Sequence, residues 1–151
     1  MKSTNMLFPS AKIIIKHPRD SSQLLVVKRK GYYEPAGGKV EVNFDHKTGE
    51  TLEACAIREA FEELGLEVKI DQYLGSYYFF WSIDPSKASV CAVFLGSITN
   101  YDNNVFASNR DKKELLIEPQ WTTLDQIKKN INPEHIGLKE VFDLLTIYLA
   151  R

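Results

Sequence analysis

Three glutamates, Glu59, Glu62 and Glu63, stand at i, i+3 and i+4. On a helix turning about 100° per residue they rise together along one side. Like charges so placed repel, and the chain offers no lysine between Glu59 and Val68 to relieve them; the nearest cation is Arg58. Two readings stay open. The cluster is a solvated acidic face, the usual use of a charge run, or it holds a hard divalent cation. Mg²⁺ takes carboxylate oxygens and keeps its remaining positions for waters and phosphate oxygens. Upstream lies a glycine pair, Gly37-Gly38, which lets backbone approach a ligand closely because neither residue carries a Cβ.

A helix over residues 52–64 must position these carboxylates. Ala54, Ile57, Ala60, Phe61 and Leu64 fall on one side of it and are expected to face the core. Thr51 is the expected N-cap, without a full capping box because Ala54 stands at N3. Gly65 is a good residue to end the helix in a left-handed conformation.

The run from Gly38 through Glu50 to Arg58-Glu59-Ala60-Phe61-Glu62-Glu63-Leu64-Gly65-Leu66 resembles the signature box of the Nudix (MutT-like) hydrolases. The helical half matches at every specified charged and glycine position, with seven residues between Glu50 and Arg58 as the pattern asks. The first half departs from it. Eleven residues separate Gly38 from Glu50, six more than the family spacing. The insertion is placed within 42–48 and read as a surface-loop extension, since closure entropy grows only logarithmically with loop length. The other use of the insertion is a lid carrying His46 and Lys47 over the substrate entrance.

Composition sets the frame. The chain has 151 residues, 44% hydrophobic and 26% charged, ordinary for one globular domain that buries roughly 70% of its unfolded surface. A net charge of −1 supplies no basic stripe for wrapping nucleic acid, although small nucleotides stay open as ligands. Two cysteines, Cys55 and Cys91, lack metal-ligand spacing and read as buried thiols in a reducing compartment. No apolar run has the length of a signal or membrane segment, so a cytoplasmic location off the membrane is expected.

Strands are expected at 11–16, at 23–29 as a central strand, briefly near 39–42, at 67–70 and 73–81, and at 89–98, with Asp84-Pro85-Ser86-Lys87 turning the last pair into an antiparallel hairpin. The aromatic run from Tyr77 to Trp81 alternates between sheet faces. A further short strand runs from Glu114 to Trp121. Thr123 caps a short helix to 129, and a closing helix over 133–150 turns Ile136, Val141, Phe142, Leu145 and Leu149 inward. His17, His46 and His135 are scattered and read as ordinary surface or loop residues.

The resemblance implies an α/β fold, an α/β/α sandwich with a mixed β-sheet between helices, over one domain spanning 1–151. It also implies hydrolysis of a pyrophosphate bond in a nucleoside diphosphate linked to another group X, with Mg²⁺ or Mn²⁺ as cofactor. Glu59, Glu62, Glu63 and the Gly37 carbonyl would hold the metal. Glu59 or Glu114 would take the proton of the attacking water, Arg58 would orient Glu59, and Glu50 would support the metal site from behind. Arg29, Gly38, Lys39, Tyr33 and Trp81 are the candidate substrate contacts. Each has a plainer use, as a solvated strand end for Arg29 or core packing for Tyr33 and Trp81. The partner is a small nucleotide; homodimers are common in the family, though no residue here demands one. The alternative in another class is a nucleotide-sensing or partner-binding module that has lost catalysis. Calcium binding is excluded as a third reading, because no DxDxDG loop occurs.

Overall fold

The computed structural model describes residues 4–29, 31–81, 83–99, 118–131 and 138–151. Nine strands and three helices lie in that part: β1 (Met6–Lys16), β2 (Gln23–Arg29), β3 (Tyr32–Glu34), β4 (Ala36–Lys39), β5 (Val42–Asn43), β6 (Thr48–Gly49), α1 (Leu52–Leu64), β7 (Val68–Phe80), β8 (Lys87–Ile98), β9 (Glu118–Thr123), α2 (Leu124–Lys129) and α3 (Leu138–Leu149).

Seven strands form one mixed sheet with the path β3-β2-β1-β8-β7, β4 pairing with β1 and β9 with β2. β1 is central because its middle, Ala11 to Ile15, is buried on both faces, as a strand between two layers must be. β8 runs parallel along one whole edge of β1. The other edge is shared between β4, over Ser10–Ile13, and β2, at Ile15 and Lys16.

Strand alternation then sorts the core into two layers. Ala11, Ile13, Ile15, Leu25, Val27 and Phe94 pack with Cys55, Ala56, Ala60 and Leu64 of α1. Ile14, Leu24, Val26, Tyr77, Cys91 and Val93 pack with Ile127 of α2 and Val141, Phe142 and Leu145 of α3. The result is the expected α/β/α sandwich.

Several local expectations are met and others corrected. Thr51 caps α1, its hydroxyl accepting from Ala54 N at 3.0 Å, and Gly65 ends the helix at φ 70°. Thr123 caps α2. The turn at Asp84 forms, with Ser86 N donating to its carboxylate at 3.1 Å. The two strands expected at 67–70 and 73–81 are one strand, β7, continuous through irregularities at Ile70/Gln72 and Tyr73/Gly75. The brief strand near 39–42 lies earlier, as β4, and the strand expected to end at Trp121 runs on to Thr123 as β9. Leu149 is exposed instead of core-facing because it lies in the last turn of α3, beyond the packed residues. Ile136 and the expected start of that helix lie outside the described residues.

The largest correction concerns the face of α1. Its buried residues are Cys55, Ala56, Ala60, Glu63 and Leu64, an arc turned about 100° from the expected stripe. Ile57 is 37% and Phe61 42% exposed, and Ala54 is exposed as well. The cause is the surface beneath. α1 lies on the glycine strand β4, and only small side chains fit so close an approach.

Candidate active site

β4 and α1 build the site together. A Cβ on Gly38 would stand 2.2 Å from Oε1 of Glu59, and one on Gly37 would stand 2.3 Å from the Ala11 carbonyl oxygen. The glycine pair therefore clears the space in which strand meets carboxylate on one side and β1 backbone on the other. Glu63 is 2% exposed, and its Oε2 accepts from Gly37 N at 3.3 Å. The Cys55 thiol donates to the Gly38 carbonyl at 3.5 Å.

Arg58 organises the rest. Its Nε and Nη2 donate to the two oxygens of Glu50 at 3.0 and 2.7 Å, a bidentate pair. Nη1 donates to Glu59 Oε1 and to Glu62 Oε2, both at 3.0 Å. Nη2 also reaches the Lys39 carbonyl at 3.0 Å, and Glu41 stands 3.5 Å from Nη1. One guanidinium thus relieves the repulsion among carboxylates from the two ends of the β5–β6 hairpin and from the helix. The planar fork suits this work in a way an ammonium would not.

The electrostatics follow. The Arg58 hydrogen bond holds the Glu50 carboxyl below its ordinary value, against a smaller opposing effect of burial. The same bond pushes the Arg58 pKa further up. Burial, and after it the nearby Glu50 charge, pushes the Cys55 thiol up to about 12, which leaves it a neutral, unreactive packing group.

The insertion does not displace Glu50. It forms a hairpin of its own, β5 against β6, turning at 44–47 with Lys47 at φ 53° and His46 N donating to Asn43 Oδ1. Its neck closes where Glu50 N donates to the Glu41 carbonyl at 3.2 Å and Glu41 N donates to Glu50 Oε1 at 2.9 Å. His46 and Lys47 are exposed on this hairpin.

The expected substrate contacts divide. Lys39 and Trp81 meet: Lys39 Nζ lies 4.3 Å from the Trp81 ring centroid, and Trp81 stacks on Phe8 at 5.0 Å. Trp81 also donates from Nε1 to Ser89 Oγ at 3.1 Å. Tyr33 instead packs against the core layer under α2 and α3. Arg29 ends β2 opposite Tyr32. Glu114 lies outside the described residues. Sequence reasoning missed Glu41 and Cys55 as members of the Arg58 network; both fall at unspecified positions of the box, and no spacing signal pointed to them.

All the expected metal donors are hard oxygens, which suits Mg²⁺ or Mn²⁺ in kind. Glu59 and Glu62 share one nitrogen of Arg58, whereas Glu63 is drawn to the Gly37 N–H. In this arrangement no three acidic, histidine or cysteine side chains among the described residues converge on an ion position.

Comparison with known proteins agrees with the fold. The chain overlays a NUDIX hydrolase from Nitrosomonas europaea with a TM-score of 0.69 at 17% identity, over 96% of this chain and 90% of that one. It overlays a UDP-X diphosphatase at 0.68 and 18%, over 99% and 66%. At these identities the likeness is one of fold. The sequence is 26% identical over 121 residues to the NAD-capped RNA hydrolase NudC of Haemophilus influenzae (strain PittGG), covering 80% of this chain and 42% of that one, so it spans less than half of that relative's length. A NUDIX domain model matches residues 6–145, and by that match the chain belongs to the NUDIX family of hydrolases.

Proposed function

We propose that the protein hydrolyses the pyrophosphate bond of a nucleoside diphosphate joined to a further group X, with Mg²⁺ or Mn²⁺. The observation that carries this reading is the close approach of the glycine strand to the helix carboxylates, Gly38 against Glu59 and Gly37 N on Glu63. Glu59, Glu62, Glu63 and the Gly37 carbonyl would hold the divalent cation, whose charge would screen the phosphate oxygens and acidify a water.

The protein's own groups do the rest. Arg58 fixes the direction of the Glu59 carboxylate, and Glu50 fixes Arg58 through two bonds. Glu59 or Glu114 accepts the proton of the attacking water; Glu59→Gln and Glu114→Gln compared at one pH identify which. Lys39 and Trp81 lie together as contacts for the substrate. The reading includes a cytoplasmic setting: both cysteines are free buried thiols, as in a reducing compartment, and no described helix is long and apolar enough to cross a membrane.

One observation favours a second reading, a nucleotide-binding module without turnover: Arg58 engages the same Glu59 and Glu62 oxygens that the reaction needs for the ion. The test is phosphate release, coupled to phosphatase, across nucleoside triphosphates, nucleotide sugars, ADP-ribose and dinucleoside polyphosphates. Turnover of one class, abolished by EDTA and cut about a hundredfold or more by Glu62→Gln, supports the hydrolase. Nucleotide binding without turnover in any class supports the module.

A further inference from the structure

The face of the sheet turned to α3 carries Lys39, already a substrate contact in that reading, and a second lysine, Lys12, that the proposed chemistry does not use. In register across four strands lie Lys39 of β4, Ser10 of β1, Cys91 of β8 and Tyr77 of β7. Paired residues of neighbouring strands share a face, as do every second residue of one strand, so Phe8 and Lys12 join this row on β1. Lys12 pairs with Gly37, which makes it the diagonal neighbour of Lys39, with Cα atoms about 7–8 Å apart.

Lys12 is only 8% exposed. Among the described residues no carboxylate lies within ion-pair distance of Lys12 or Lys39, whereas Lys87 on the same face is paired with Asp84. Tyr77, 6% exposed, keeps its buried hydroxyl beside the Cys91 thiol, with no nitrogen or oxygen partner among the described residues. Phe8 and Trp81 form an aromatic wall, with Lys39 Nζ 5.4 and 4.3 Å from their centroids. A lysine as enclosed as Lys12 is costly to keep charged unless an anion meets it, and Lys39 on the diagonal position brings a second positive charge to the same face.

We propose that Lys12 and Lys39 form a second subsite for an anionic group of the substrate, so that X carries a phosphate of its own instead of ending in a neutral sugar. The inference rests on the reading above and deepens it. The subsite and the carboxylates lie on opposite faces of one two-glycine strand: Gly38 faces Glu59, and the Cβ position of Gly37 faces the Lys12 side chain at 2.7 Å. Ser10 already donates to the Val90 carbonyl, so its oxygen accepts here, and the two lysines supply the charge.

Two measurements decide it. Calorimetric binding of inorganic pyrophosphate in EDTA removes the metal from the question. The wild-type protein binds, Lys12→Met and Lys39→Met each weaken binding about tenfold, the loss of one charge-assisted contact, and Glu62→Gln does not weaken it. In turnover, the ratio of kcat/KM for a nucleoside triphosphate over that for a nucleotide sugar falls about tenfold in Lys12→Met. No pyrophosphate binding by the wild type, or equal binding by wild type and both folded lysine variants, overturns the subsite. Absence of turnover in every class would count against the hydrolase reading alone, because the binding comparison still decides the subsite.

Discussion

The two faces of β4 treat charge in opposite ways. On the α1 side the carboxylates of Glu41, Glu50, Glu59 and Glu62 all stand within 3.5 Å of one guanidinium. On the α3 side Lys12 and Lys39 sit on diagonal positions without a carboxylate within ion-pair distance among the described residues. The first face gathers four carboxylates on one cation, so its geometry is ordered while its net charge stays negative, as a site for a divalent ion requires. The second holds no such carboxylate among the described residues, and an enclosed lysine like Lys12 is suited to meet an anionic ligand. The difference assigns chemistry to the first face and recognition to the second.

The glycines test that division most sharply. Ala at 37 drives its Cβ into the Ala11 backbone oxygen, which cannot step aside, so Gly37→Ala should cost about 3 kcal/mol of stability, read as a lower denaturant midpoint. Ala at 38 meets the Glu59 carboxylate first, a side-chain end that can swing away. Gly38→Ala should therefore keep most of its stability and lose about a hundredfold in rate, the usual penalty of a displaced catalytic group. Equal stability losses in the two variants would erase the distinction.

Arg58→Lys probes the organising fork. It keeps the charge and loses the two-bond grip on Glu50, for about 2 kcal/mol of stability and a lower kcat, measured by thermal melts and initial rates. A smaller effect is expected from acid. Glu50 has its carboxyl held below the ordinary 4.5 by Arg58, so its contribution is whole above that value and fades as pH falls through the depressed one. The melting-temperature gap between wild type and Glu50→Gln should accordingly narrow on acidification from about pH 6 to pH 3. A gap that stays constant would mean that the pair adds nothing to stability. Least of all should change at Cys55. Burial is the main reason its thiol lies at about 12, so iodoacetamide should label it slowly at neutral pH in wild type and only slightly faster in Glu50→Gln, followed by mass spectrometry.

What was legible in the sequence follows the range of the interactions. Spacing put Glu59, Glu62 and Glu63 on one side of a helix and the resemblance added Arg58; the structure brings Glu59 and Glu62 to Arg58 and turns Glu63 to the Gly37 N–H. The caps at Thr51 and Gly65 are equally local. The buried face of α1 was not legible, because apolar size pointed to Ile57 and Phe61 while the surface beneath is a glycine strand that admits Cys55, Ala56 and Ala60. Glu50 kept its place across six extra residues because those residues pair with each other in the β5–β6 hairpin. Lys12 left no signal at all. Its neighbours Lys39 and Tyr77 lie on other strands, and only the register of β4, β1, β8 and β7 sets them in one patch.

The most direct test of the division between the faces is steady-state kinetics of Glu62→Gln and Lys39→Met on one substrate, side by side with wild type. Glu62→Gln should lose kcat with KM little changed, and Lys39→Met should raise KM about tenfold with kcat largely kept. Loss of kcat in both variants to the same degree would contradict the account, because the two faces of β4 would then belong to a single undivided site.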